Sequence, residues 1–301
     1  MKPCLKWVGG KTQILEKLFE KFPDEINDYY EPFVGGGSVM IELIHRLETG
    51  QIKVKGKIFI NDKNSDLINL YNLVKTNLPY LIKKLAKLEK IYNDSPDIKY
   101  ESRHKIELDK DIKKNMAKGK VYLYYHYRRE FNTTKVSKLK SALLIFLNRT
   151  CFRGVYRIGP NGFNVPFGNY ENPTILHADN LTVLHDMFNK YKIEFTDNDF
   201  TDFLDKDLQS DDFVYLDPPY YPLKKESFTT YQKDGFETKH DDLVNVCHNL
   251  HNKGFKFLHS NSWCDFTVNK YNQFTQDKIL CKRRINSKNP KDTDYEILIY
   301  N

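Results

Sequence analysis

Long apolar runs are missing from this chain: none comes near the roughly 18 residues that a membrane-spanning helix requires, which excludes a transmembrane reading. The opening stretch MKPCLKWVGGKTQ has no apolar core, so no secretory signal is read there. No internal repeat and no low-complexity tract is present, which removes solenoid and fibrous architectures. Cysteines are few and odd in number. Cys4, Cys151, Cys247, Cys264 and Cys281 are scattered without metal-ligand spacing. That pattern excludes a disulfide framework, predicts no bound metal and points to a reducing compartment. A soluble, intracellular protein is expected.

The 301 residues suffice for one large domain or two modest ones, either with a real core. Hydrophobic residues make up 40% and charged residues 29%, an ordinary globular balance. The formal net charge of +7, from 47 Lys+Arg against 40 Asp+Glu, suits a phosphate-rich partner without naming one.

Three kinds of segment follow one another. Up to about Leu67 the pattern is β–α–β. A short apolar strand from Tyr29 to Val34 ends in Gly35-Gly36-Gly37, Ser38 to Leu47 has helical spacing, and Lys57 to Ile60 is a strand ending at Asn61-Asp62. From about Ile68 to Asn172 the character changes. Leu78, Leu81, Ile82, Leu85, Leu88 and Ile91 mark an amphipathic helix with a lysine-rich outer face, read first as a solvated surface. Lys113, Lys114, Lys118, Lys120, Arg128 and Arg129 then interleave with Tyr122, Tyr124, Tyr125 and Tyr127. A helix from Ser137 to Asn148 leads into a loop dense in Arg, Gly, Asn and aromatics that ends at Tyr170. The third segment returns to strands: Ile193 to Thr196, Phe213 to Leu216 and Phe255 to His259 are apolar runs typical of buried parallel strands, and Tyr295 to Tyr300 is a last one. The fold class is α/β, a doubly wound sheet interrupted by a basic helical insertion. The boundaries are 1–68 and 173–301 for the sheet domain and 69–172 for the insertion.

In doubly wound sheets ligands bind beyond the carboxyl ends of the strands. Four clusters sit at such ends: Glu31-Pro-Phe-Val-Gly-Gly-Gly-Ser38, Asn61-Asp62, Asn198-Asp199-Phe200 and Asp217-Pro-Pro-Tyr220. The glycine turn lets a ligand approach backbone at a helix start, but Met40 occupies the third position of the dinucleotide fingerprint, so a pyrophosphate ligand is disfavoured. Asp62 can accept both hydroxyls of a ribose, or equally cap the next helix. The tetrapeptide is the specific signal. Pro218 and Pro219 end regular structure and fix the backbone. Asp217 then offers a carboxylate, Pro218 a carbonyl and Tyr220 a flat ring: two acceptors and a stacking face for a planar amine.

These blocks, with Leu5-Lys-Trp-Val-Gly-Gly-Lys11, Asn64-Ser-Asp-Leu-Ile68 and Phe163-Asn-Val-Pro-Phe-Gly168, resemble in content and order the Dam-type DNA adenine methyltransferases of the D12 class, alpha group. The resemblance covers nearly the whole chain. It implies a Rossmann-like methyltransferase sheet and a mainly helical target-recognition insertion carrying a β-hairpin loop. The implied activity is transfer of the methyl of S-adenosyl-L-methionine to N6 of an adenine flipped out of duplex DNA. Residue by residue, Trp7, Lys11, Phe33, Gly35, Gly37 and Ser38 match the cofactor pocket. Asp62 matches its ribose or adenosine ligand, and Asp199-Phe200 the clamp on its adenine. Asp217 would contact both cofactor and target, while Pro218, Pro219 and Tyr220 complete the catalytic corner.

For DNA, Phe152 matches an intercalating aromatic, Arg157 a base-reading arginine, Val155 and Pro166 apolar contacts to thymine, and Lys6 and Tyr170 neighbours of the outer bases. Arg149 and Arg153 add cations for phosphates or guanine. GATC is the expected target. Arg153 and Thr150-Cys151 depart from the family pattern, which bears on the wedge. The expected partner is double-stranded DNA, with a restriction endonuclease paired by function in a restriction-modification system but not by contact, in the cytoplasm of a bacterium or of a cell hosting a phage or virus.

Three other readings are weighed. Cytosine-N4 methylation uses the same amine logic, but its tetrapeptide more often begins with Ser or Thr. A catalytically silent DNA-binding module conflicts with the intact corner and glycine turn. Cytosine-C5 chemistry would need a nucleophilic cysteine beside the site, and the Pro3-Cys4 pair lies away from any strand end.

Overall fold

The computed structural model describes residues 1–205, 208–223, 236–282 and 293–301. The chain divides into two compact units, one formed by Met1–Gly10 with Asn64–Lys190 and the other by Lys11–Lys63 with Tyr191–Asn301. Among the described residues no helix is long and apolar enough to cross a membrane.

The second unit is built on a seven-stranded sheet. Its strands in chain order are β1 (Tyr29–Glu31), β2 (Ile58–Asn61), β3 (Glu194–Thr196), β4 (Phe213–Leu216), β5 (Lys256–Ser262), β6 (Thr275–Lys282) and β7 (Thr293–Tyr300). They lie in the spatial order 6-7-5-4-1-2-3. The first five are mutually parallel, and β7 runs antiparallel between β5 and β6. This is a mixed α/β architecture with a central, mostly parallel sheet, as expected of a Rossmann-like methyltransferase. The strand order reverses between β1 and β4, where doubly wound sheets open their ligand crevice.

Burial explains why these runs are strands. All of β4 is buried, and so is β5 from Phe257 onward. A core of Tyr30, Phe203, Val214, Leu216, Leu243, Cys247, Phe257, Ile297 and Ile299 packs on the sheet. Strand β6 was not foreseen. Its sequence TQDKILCK opens with four polar residues, and in the short apolar stretch that follows Ile279 and Cys281 are buried while Leu280 between them is exposed, so it lacks the longer apolar run that marks the central strands.

The first unit is mainly helical: Ser65–Thr76, Leu78–Asp94, Lys120–Thr133, Lys138–Thr150 and Ala178–Lys190, with a short hairpin pairing Ile158–Gly159 to Gly162–Phe163. Helix Lys138–Thr150 is buried on nearly every side, as a central helix must be, and packs against the three that precede it. In Leu78–Asp94 the buried residues are Leu78, Leu81, Leu85, Leu88 and Tyr92, one stripe at helical spacing.

Helix Lys120–Thr133 alters the reading of its cations. Lys120 is buried, with Nζ 2.9 Å from Asp97 Oδ2 and 2.7 Å from the Glu171 carbonyl. Arg128 is also buried; it pairs with Glu107 and donates to the Val165 carbonyl at 3.2 Å, and Tyr124 donates to that carbonyl at 2.6 Å. These cations hold the unit together and are not available to phosphates.

Candidate active site and base-reading loop

In the sheet unit, the carboxyl ends of β1, β2 and β3 are tied by one side chain. Buried Asn61 donates to the carbonyls of Pro32 (3.2 Å) and Asn198 (3.0 Å), and accepts from the Asn198 N–H (2.9 Å) and the Thr196 hydroxyl (2.8 Å). The polar doublet at the end of β2 thus has a division of labour: Asn61 fixes three loops, while Asp62 faces the glycine turn and accepts the Gly35 N–H at 2.9 Å. Asp62 does not cap the next helix. Asn64 does, accepting the Asp66 and Leu67 N–H groups at 3.1 and 3.2 Å. Gly37 is left-handed (φ 74°) at the entry to helix Ser38–Glu48, a conformation that a residue with a Cβ adopts only under strain.

Asp217 emerges from β4 and turns inward. Its Oδ1 lies 2.8 Å from Lys11 Nζ, with the side chains only 18% and 4% exposed respectively. Lys11 is in turn fixed by its backbone N–H, which donates to Ser38 Oγ at 3.1 Å, so the corner after β4 and the start of the glycine-turn helix share one cation. The same ammonium stands over the Tyr220 ring, 4.7 Å from its centroid, and Tyr220 donates its hydroxyl to Glu296 Oε2 at 2.8 Å. The following residue is clamped too. Tyr221 donates its N–H to Asn261 Oδ1 at 2.8 Å, its carbonyl accepts from Ser262 at 2.5 Å, and its ring stacks on Phe266 at 4.0 Å. The corner is therefore held from both sides by β5.

Acids crowd this crevice. Burial pushes the Asp217 carboxyl up to about 6; Lys11 pulls it down, and Glu296 adds to the rise. Glu31, buried at the end of β1, is pushed up to about 8 by burial, against the hydrogen bond it accepts from the Tyr29 hydroxyl at 2.9 Å and with help from Asp217 and Asp62. The phenols of Tyr29, Tyr215 and Tyr220 also feel Asp217, and burial holds each well above its ordinary value.

At the end of β3, Asp199 caps helix Phe200–Leu204 by accepting the Thr201 N–H at 3.3 Å, and also pairs with Lys63 (3.1 Å) and Lys239. Burial would raise its carboxyl, but Lys239, Lys63 and Thr201 overcome this and hold it well below the carboxylate range. Beside it Phe33, Phe200 and Phe236 form an aromatic cluster with centroids 5.2–6.0 Å apart.

The expected DNA-facing residues all lie in the helical unit. Asn148, at the end of its central helix, accepts the Lys6 N–H and donates to the carbonyls of Lys6 and Gly154, each at 2.8–2.9 Å, and so binds the N-terminal segment to the loop. Trp7 also belongs here, stacked on Tyr156 at 4.7 Å. Phe152 is 47% exposed, with the Arg153 guanidinium over its ring. Arg153 itself is left-handed (φ 58°), and its N–H donates to the Tyr170 hydroxyl at 3.1 Å. Arg157 donates from Nε to Asn164 Oδ1 at 2.7 Å, which orients its guanidinium from one edge. The Pro166 carbonyl accepts the Phe152 N–H at 2.8 Å, the Val155 N–H reaches back to the Phe152 carbonyl at 3.3 Å, and Lys6 Nζ stands 5.8 Å from the Tyr170 ring centroid. Arg149 differs from its neighbours: it is half-buried and donates to the Cys4 carbonyl at 3.0 Å, and burial lowers the pKa of its guanidinium.

Sequence reading had not singled out Glu296, Phe236 or Asn148. None stands in a recognisable block, and each acquires its partner only through folding.

Comparison with known proteins identifies the family. The family described as D12 class N6 adenine-specific DNA methyltransferase matches residues 7–285. The chain is 37% identical to the Type II methyltransferase M.MjaIII of Methanocaldococcus jannaschii, across 100% of this chain and 99% of that protein. It is 31% identical to the Type II methyltransferase M1.LlaDCHI of Lactococcus lactis subsp. cremoris, over 94% and 89% of the two chains. Identity to the DNA adenine methylase of Haemophilus influenzae is 29%, over 96% and 89%. With the acid–proline–proline–tyrosine corner beside the glycine turn, these matches place the chain in the D12 class of adenine-specific DNA methyltransferases.

Proposed function

We propose that the chain transfers the methyl group of S-adenosyl-L-methionine to N6 of an adenine flipped out of duplex DNA, with GATC as the target. The observation that carries this is the arrangement of Asp217, Pro218 and Tyr220 on a corner pinned by Lys11, Glu296 and Asn261.

The donor set suits the cofactor. Asp62 at the end of β2 is a carboxylate for ribose hydroxyls, Phe33 and Phe200 are planar surfaces for an adenine with Asp199 beside them, and Gly35, Gly37, Lys11 and Ser38 surround the position for the methionine portion. Trp7, which the resemblance also assigns to the cofactor, belongs to the helical unit, where it stacks on Tyr156. Bound by that donor set, the cofactor supplies an electrophilic methyl on a sulfonium.

The chain's own residues do the rest. The adenine amine is a weak nucleophile because its lone pair is delocalised into the ring. Asp217 and the Pro218 carbonyl accept its two N–H bonds, which favours a pyramidal nitrogen and concentrates electron density there. Tyr220 stacks on the base with the ring face turned away from Lys11. Asp217, with its pKa raised to about 6, can take up the proton that the methylated nitrogen releases. Positioning supplies much of the rate, and extruding the base costs roughly a few kcal/mol.

The helical unit is assigned to target recognition. Its loop offers Phe152 as a wedge, Arg157 as a guanine reader, Val155 and Pro166 as apolar surface, and Lys6, Arg153 and Tyr170 at the margin. Arg149 braces the loop on the Cys4 carbonyl. Incubating the purified protein with unmethylated genomic DNA and the cofactor, then mapping modified bases by sequencing, tests the activity, the atom and the site together. N6-methyladenine confined to GATC is expected. Modified cytosine, or no modification, would defeat the proposal.

A further inference from the structure

We infer that Glu296 is the positioning residue that sets the plane of the Tyr220 ring and thereby aligns the extruded base for methyl transfer. This rests on the reading that Tyr220 stacks on the target.

Two constraints define a ring plane here. Lys11 covers one face, 4.7 Å from the centroid, and Glu296 accepts the hydroxyl at 2.8 Å; because conjugation keeps a phenol O–H near the plane of its ring, the acceptor's direction constrains the tilt of the ring. Without the second constraint, the ring is free to turn about the bonds that join it to the backbone. Glu296 is well placed for the task. It lies on β7 directly opposite Ser262 of β5, and Ser262 holds the carbonyl of Tyr221, so one rung of the sheet fixes both the backbone after Tyr220 and the tip of its side chain.

The residue is also electrostatically costly where it stands. Asp217 is faced by Lys11, Glu31 and the phenols of Tyr29, Tyr215 and Tyr220, and Glu296 adds another negative charge that works against its ionisation. A neutral acceptor would anchor the phenol without that penalty. The carboxylate does two things that a glutamine cannot combine: it orients the ring through a charge-assisted hydrogen bond, and it keeps the neighbouring acid close to protonation.

The experiment compares Glu296→Ala, Glu296→Gln, Tyr220→Phe, Tyr220→Ala and the Tyr220→Phe/Glu296→Ala double variant of the full chain. The substrate is a duplex oligonucleotide carrying the mapped target, and a second duplex has 2-aminopurine at the target adenine. Folding is checked by thermal melting. Glu296→Ala should lower kcat roughly tenfold or more, the order expected when a reacting group is misplaced, while KM for the cofactor stays unchanged and 2-aminopurine fluorescence in the complex rises as the base loses its stacking partner. Glu296→Gln should recover most of kcat at neutral pH, with the acidic limb of its pH profile displaced to lower pH. Tyr220→Phe should lower kcat as Glu296→Ala does, and the double variant should be no worse than either single one. Wild-type kcat in Glu296→Ala, or multiplicative losses in the double variant, would overturn the assignment. If Tyr220→Ala is inactive while Glu296→Ala is fully active, only the role of Glu296 falls. If Tyr220→Ala is itself fully active, the stacking reading beneath it falls as well.

Discussion

Lys11 and Asp217 form a nearly dehydrated ion pair, 2.8 Å between Nζ and Oδ1, at the point where the strand order of the sheet reverses. Each partner does more than neutralise the other. Lys11 is anchored to Ser38 and covers the Tyr220 ring, so a single cation links the glycine turn, the acid and the aromatic of the corner.

The first prediction concerns the charge of Asp217. Burial raises its carboxyl to about 6, and Lys11 opposes the rise. An ionised Asp217 is the better acceptor for an amine, so kcat at saturating cofactor should fall as pH drops through about 6. Lys11→Met removes the opposing charge and should carry that limb upward toward neutrality. A limb that stays in place would show that Lys11 does not set the acid's charge.

Asp217→Ala should abolish methylation, a loss of at least about 10²–10³ in kcat, since both a hydrogen bond to the amine and the charge behind it disappear. Binding of duplex DNA should be largely unchanged, because the proposed DNA contacts are on the helical unit. A gel-shift titration beside a radiolabelled-methyl assay checks both halves, and retained activity would remove Asp217 from its role.

Stability should carry the mark of Glu31. Its carboxyl is raised from an ordinary value of 4.5 to about 8 in the fold. Stability from keeping it protonated is complete below pH 4.5 and is lost as pH rises toward 8. Glu31→Gln retains an oxygen for the Tyr29 hydroxyl and has nothing to neutralise. Its advantage over the parent should therefore be near zero at pH 4.5 and grow to the order of a few kcal/mol at pH 8, read by urea unfolding. A difference independent of pH would mean that Glu31 is already ionised in the native state.

What was legible from sequence follows from local chemistry. Parallel strands buried on both faces must be apolar throughout, so Phe213–Leu216 stands out, and a double proline after it can only be a stop. An edge strand such as Thr275–Lys282 buries only alternate residues and does not stand out. Helix Lys120–Thr133 hid for another reason. Its buried residues include Lys120, Tyr124 and Arg128 beside Val121, Leu123 and Phe131, and the polar ones become core only because Asp97, Glu107 and the Val165 carbonyl meet them. The roles of Asp62 and Asn64 could not be told apart before their hydrogen bonds were seen. Glu296, 76 residues beyond Tyr220, reaches it only because β7 lies beside β5.

The last prediction concerns the choice of sequence. Asn164 accepts from Arg157 Nε at 2.7 Å, and the Asn164 carbonyl lies 3.4 Å from the Nη2 atom, so the loop grips one edge of the guanidinium and presents the rest as a planar fork. A fork held in this way reads guanine through two hydrogen bonds, whereas a lysine at this position would offer a single mobile charge. Arg157→Ala and Arg157→Lys should both lose discrimination at one base-pair position, worth about 1–3 kcal/mol or roughly a 5- to 150-fold change in relative kcat/KM, while methylation of duplexes altered elsewhere keeps its rank order. Asn164→Ala, which frees the fork without removing it, should produce a smaller loss at the same position. Competition assays on duplexes that each carry one changed base pair make the test. A uniform loss across every duplex would identify Arg157 as a phosphate contact, because a backbone contact weakens all sequences alike and leaves discrimination between bases untouched.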